Sequence, residues 1–148
     1  MSAIPKLSLA VQYASEVAHL PSRPQLRRWL RAALERDVQI VLRIVDETEA
    51  RALNRDFRGK DYATNVLTFV YDEGESLHAD VVLCAPVIQK EAREQRKEVL
   101  AHYAHLAIHA ALHLQGYDHE KAAQAAAMEA RETAILYKLG YADPYTGR

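Results

Sequence analysis

The chain is 148 residues long, with 49% hydrophobic and 26% charged residues, an ordinary balance for one globular domain that buries roughly 70% of the surface it exposes when unfolded. No apolar run approaches the ~20 residues of a membrane span, and Cys84, the one cysteine, excludes an internal disulfide and predicts no disulfide-linked partner. With 19 Lys and Arg against 20 Asp and Glu the formal charge is -1, so the whole molecule has no pull on polyanions and any nucleic-acid surface must be local.

The N-terminal MSAIPKLSLAVQYASE carries one lysine and no sustained apolar stretch, so no secretory signal is expected and the predicted location is the cytoplasm. KLSLAVQY alternates apolar and polar residues, which predicts a first strand ending near Tyr13. A helix follows: Ser22 and Gln25 form a capping-box pattern, Pro24 suits the first turn, and Leu26, Trp29, Leu30, Ala33 and Leu34 make an apolar stripe. The β-branched run VQIVLRIV, 38–45, predicts the second strand, and a second helix runs from about Thr48 to Phe57 with Gly59 as its stop.

TNVLTFVY, 64–71, reads as the third strand, DEGESLHA as a polar turn, and DVVLCA, 80–85, as the fourth. The short connection makes the last two antiparallel neighbours. Pro86 opens a helix expected to reach Glu98, a second helix over 99–115 holds the histidines, and EKAAQAAAMEARETAILYKL forms the last before Gly140. Strand and helix alternate first and helices dominate later, so the predicted fold is α+β: one domain over 1–148, a four-stranded mixed sheet with about five helices, the central one bearing histidines.

That helix contains HLAIHAALHLQGYDH, residues 105–119. Histidines four apart lie about 40° from each other around a helix, with Cβ atoms roughly 6 Å apart, so His109 and His113 can reach one ion. Gly116 permits a turn out of the helix that returns His119 to the same point. Three neutral imidazoles and an open fourth position make a catalytic zinc site, although nickel, copper or iron also suit such donors. His102 and His105 read as core or surface residues, with His105 and Asp118 available as further groups beside the site.

The spacing H-x-x-x-H-x-x-G-x-x-H is shared with metzincin-type proteases, in which a glutamate after the first histidine serves as general base. Here that position is Ala110, which takes no proton. Asp118 is either a substitute base or an Asx-turn or cap residue before the last helix. Phosphodiester cleavage needs no such carboxylate, because a metal and a guanidinium can stabilise charge on the phosphate oxygens. Arg58, just before Gly59, is the candidate guanidinium; it reads equally as a solvated arginine at a helix C-terminus. Arg55 and Lys60 would share the basic wall of a substrate groove with it.

HAALHLQGYDH at 109–119, LNRDFRGKDYATNVLTF at 53–69, ADVVLC at 79–84 and the terminal LGYADPY together resemble the YbeY family of zinc-dependent endoribonucleases. The resemblance implies one Zn²⁺ on His109, His113 and His119, a functional arginine at Arg58, cleavage of single-stranded RNA in 16S rRNA 3′-end maturation, and work with the ribosome or its small subunit in quality control. Three positions depart from the commonest family form. Ala110 and Ala79 replace glycines, and Asn65 replaces an aspartate, removing a charge near the site. Two rival readings remain at this stage: a metallohydrolase of another substrate class, and a ribosome-associated module with structural zinc closed by a fourth ligand such as His105 or Asp118.

Overall fold

The structure, a computed structural model, describes residues 4–72, 74, 76–118 and 120–145. Its elements are β1 (Leu7–Ala14), α1 (Arg23–Ala32), β2 (Val38–Val45), α2 (Glu47–Arg58), β3 (Val66–Asp72), β4 (Leu77–Cys84), α3 (Ala85–Glu94), α4 (Val99–Leu114) and α5 (Ala122–Lys138). The strands form one sheet in the order β1-β2-β4-β3. β1, β2 and β4 run parallel, because helical crossovers join them, while β3 pairs antiparallel with β4 across the short loop.

Alternation along the strands divides the sheet into two faces. Ile40, Leu42 and Ile44 of β2 and Leu77, Ala79, Val81 and Leu83 of β4 point into the main core with α1, α4 and α5. The opposite face is covered in part by α2, where Val45, Ala50, Leu67, Val82 and Cys84 pack into a smaller cluster. Cys84 is thus a small buried strand-end residue. The capping box on α1 forms as the sequence predicts: the Ser22 hydroxyl accepts from Gln25 N–H at 3.2 Å and the Gln25 side chain accepts from Ser22 N–H at 2.9 Å. Among the described residues no helix is long and apolar enough to cross a membrane.

Several boundaries differ from the sequence reading, among them three with a structural reason. β3 starts at Val66, two residues late, and β4 starts at Leu77, three residues early, because Leu77 and Ala79 pair with Val38 and Ile40 of β2 and bury. α3 stops at Glu94 rather than Glu98. There Arg96 takes a left-handed φ of 55°, and Lys97 N–H donates back to the Ala92 carbonyl, closing the helix with a Schellman turn.

Candidate active site

α4 is buried almost all round, as a central helix must be. Beyond its first turn, the line Ala101, His105, His109 and His113, repeating every four residues, is the part of its surface that is not fully covered. Leu112 and Leu114 point into the core behind it. At the helix end the Tyr117 N–H donates to Leu112 O and the Gly116 N–H to His113 O, with Gly116 at φ 109°. This exit places the Tyr117 carbonyl 3.2 Å from His113 Nδ1.

The His109 and His113 rings lie nearly parallel, 5° apart in plane and 6.5 Å between centroids. In both, Nδ1 meets an acceptor: Glu132 Oε2 at 2.5 Å for His109 and the Tyr117 carbonyl for His113. A neutral imidazole that donates from Nδ1 carries its lone pair on Nε2, the form in which histidine ligates a metal. The donor chemistry therefore fits the expected ion. His119, the third expected ligand, lies outside the described residues, and among those described no three His, Cys, Asp or Glu side chains are placed to hold a metal ion together.

A cleft of about 400 Å³ opens in front of these rings, walled by the end of α2, the 59–65 segment, the first residues of β3 and α4. Arg58, Lys60, Asn65, His109 and His113 all line it. Gly59, at φ 71°, ends α2 with its N–H on Arg55 O. The buried Asn54 side chain donates to the Tyr62 carbonyl at 2.9 Å, and Arg51 forms a two-pronged pair with Asp61, so the segment carrying Lys60 is tied back to α2 at two successive residues. Arg58 Nη2 donates to Thr68 O at 2.5 Å, and its guanidinium carbon sits 5.3 Å from the centre of the Phe69 ring.

A family model described as Endoribonuclease YbeY matches residues 12–140. The chain belongs to the YbeY endoribonuclease family. It is similar to Endoribonuclease YbeY of Thiobacillus denitrificans, at 57% identity over 95% of this chain and 97% of the relative. The YbeY of Methylobacillus flagellatus is 54% identical, over 97% of this chain and 96% of the relative. Among solved structures, the solution structure of TM1509 from Thermotoga maritima shares the fold, with a TM-score of 0.53 and 24% identity over 93% of this chain and 99% of that one.

Of the residues singled out in the sequence, Arg58, Lys60, Asn65, His109 and His113 meet at this YbeY cleft. Arg55 does not line the cleft: it sits most of a turn earlier on α2, and its Nε pairs with Asp56 at 3.1 Å on the solvent side. Asp118 Oδ1 accepts from the Glu120 N–H at 3.0 Å, the Asx-turn alternative of the two readings. Asn65 donates to both Glu91 oxygens, at 3.0 and 3.3 Å, which an ionised aspartate could not do.

Sequence reasoning missed two carboxylates. Glu91 accepts from His102 Nε2 at 2.8 Å as well as from Asn65. Burial raises its pKa, but those two hydrogen bonds outweigh burial and hold it below the ordinary carboxylate range. Glu132, fully buried, accepts from His105, His109 and Tyr145. Here too burial pushes upward, and the three hydrogen bonds bring the carboxyl down to about 2. Burial lowers the pKa of His105, favouring its neutral form. A signal for Glu132 was present: it falls on the stripe Met128, Glu132, Ile135, Leu136, whose other members are core residues.

Proposed function

We propose that this chain is a zinc-dependent endoribonuclease that cuts single-stranded RNA, acting with the small ribosomal subunit in 16S rRNA 3′-end maturation and ribosome quality control in the cytoplasm. One observation supports the site assignment: two cationic side chains, Arg58 and Lys60, face two Nδ1-bonded histidines across a single cleft. His109 and His113 would hold the ion through Nε2, joined by His119. Once bound, zinc supplies Lewis acidity toward water and phosphate oxygen.

The protein's own groups do the rest. RNA is a polyanion and the chain's net charge is -1, so attraction must come from the cleft wall. Thr68 O takes one of the five Arg58 N–H donors and the Phe69 ring supports the guanidinium plane, which orients the remaining donors before substrate arrives. Such fixed donors stabilise charge as it builds on the non-bridging oxygens. Lys60, on the tied 59–65 segment, adds a second point charge. Asn65 has no basic oxygen to take a proton, so no step depends on a carboxylate at that position.

The rival readings find less support. Ala110 is a buried alanine where peptide hydrolysis needs its base. A structural zinc closed by a fourth ligand would want His105 or Asp118, yet neither lines the cleft: His105 Nε2 is engaged by Glu132 and Tyr145, and Asp118 by Glu120. The test is cleavage of an end-labelled single-stranded RNA by wild type, Arg58→Ala and His113→Ala, each shown to be folded. Arg58→Ala is expected to slow cleavage by about 100-fold or more, as loss of one oriented donor does, and His113→Ala to abolish it. Equal cleavage by all three would remove the assignment.

A further inference from the structure

Glu132 sits at mid-helix in α5, on a stripe otherwise made of core side chains, with none of its surface exposed. A hydrophobic residue of similar volume commonly serves stability as well as a buried charge or better, so packing alone does not account for it. Its hydrogen bonds divide between its two oxygens. Oε1 accepts from His105 Nε2 at 3.0 Å and from the Tyr145 hydroxyl; Oε2 accepts from His109 Nδ1 at 2.5 Å. Two donors on the far oxygen stop the carboxylate from rotating, which leaves Oε2 aimed at a single target.

We propose that Glu132 is a positioning residue for His109: it fixes the Nδ1–H tautomer and locks the ring orientation. His105 and Tyr145 act through it, by holding the opposite oxygen. The inference rests on the reading of His109 as a zinc ligand, and it extends the site to the segment after α5. That segment is anchored a second time, where Lys97 Nζ donates to the Pro144 carbonyl at 2.9 Å. Docking of the Asp143–Tyr145 stretch and zinc affinity are therefore linked through one carboxylate.

The experiment uses the full-length chain in wild-type, Glu132→Leu, Glu132→Gln and Tyr145→Phe forms, with two readouts. The first is the tautomer of the neutral His109 ring in metal-free protein, from long-range ¹H–¹⁵N correlation spectra of the imidazole. The second is zinc affinity, by competition with a chromophoric chelator, beside the thermal midpoint of each metal-free form. In wild type Nδ1 of His109 should be protonated. In Glu132→Leu the tautomers should mix and zinc affinity should fall roughly 10- to 100-fold, the usual cost of losing the partner behind a ligating histidine. Glu132→Gln, which keeps an acceptor, should fall between, and Tyr145→Phe should lose severalfold.

An unchanged His109 tautomer and a zinc affinity within twofold of wild type in folded Glu132→Leu would overturn the proposal. Should that variant not fold, the same result in Glu132→Gln and Tyr145→Phe together would do so. A wild-type protein that binds no zinc would instead sink the metal reading, while the tautomer measurement would still decide whether Glu132 positions the ring.

Discussion

The two ends of the histidine face on α4 carry the same residue type at similar spacing and present opposite chemistry. At the N-terminal end, His102 and His105 point Nε2 at the carboxylates Glu91 and Glu132. At the C-terminal end, His109 and His113 spend Nδ1 on Glu132 and the Tyr117 carbonyl, which leaves the lone pair on Nε2. Side-chain exposure grows in the same direction, from 4% at His102 through 12% at His105 to 25% at His109. Spacing brings imidazoles to one face; the acceptor that reaches each ring first decides whether it serves as a strut or as a ligand.

The largest effect should separate the two ends directly. His109→Ala and His113→Ala are expected to lower zinc affinity by at least about 100-fold, more than the loss of an outer partner costs. His102→Gln should retain one zinc per chain at wild-type affinity. Metal content by elemental analysis after gel filtration, with the chelator competition, reads the difference. A His102→Gln protein that also loses its metal would erase the distinction between the two ends.

A smaller effect should appear with pH at the N-terminal end, through Glu91. Hydrogen bonds from His102 and Asn65 depress the Glu91 pKa below its unfolded value of about 4.3. On acidification the unfolded chain therefore takes up this proton first. The stability contributed by Glu91 is complete above the unfolded pKa and is lost as pH falls through the lower folded value. Glu91→Gln is expected to lower stability by about 1–2 kcal/mol at pH 7 and to flatten stability against pH over that acid window. Urea midpoints from pH 7 down to pH 3 measure both; an unchanged acid slope would place the dependence on other groups.

Much of this arrangement is legible before any coordinates. Alternation marks β1, a β-branched run marks β2, the Ser22 and Gln25 pair marks the start of α1, and the pattern from His109 to Gly116 marks both a helix face and its exit, since each signal is local. The missed features depend on partners distant in sequence. Asn65 meets Glu91 across 26 residues and His109 meets Glu132 across 23, and no local pattern specifies which ring nitrogen faces which oxygen. The place of Arg55 outside the cleft lining has a related reason: helical spacing gives its face, but only the packing of α2 on the sheet decides which turn borders the cleft. α3 was read as too long because an arginine, rather than glycine, occupies its left-handed exit.

The smallest effect tests whether the exit of α4 is part of the site or only its end. A Cβ built on Gly116 meets nothing within 4 Å, so Gly116→Ala introduces no clash and its cost is backbone strain at φ 109°, about 1–2 kcal/mol. The same strain should pull on the 3.2 Å contact between His113 Nδ1 and the Tyr117 carbonyl, lowering zinc affinity severalfold. Gly59→Ala supplies the matched control. Gly59 also has a positive φ, 71°, and open space around its Cβ, but it closes α2 and touches no histidine. It should cost about 1 kcal/mol and leave zinc affinity unchanged. If both variants lose similar stability and only Gly116→Ala loses zinc, the turn orients a ligand as well as ending a helix; if neither loses zinc, His113 holds its orientation through its packing on α4 alone.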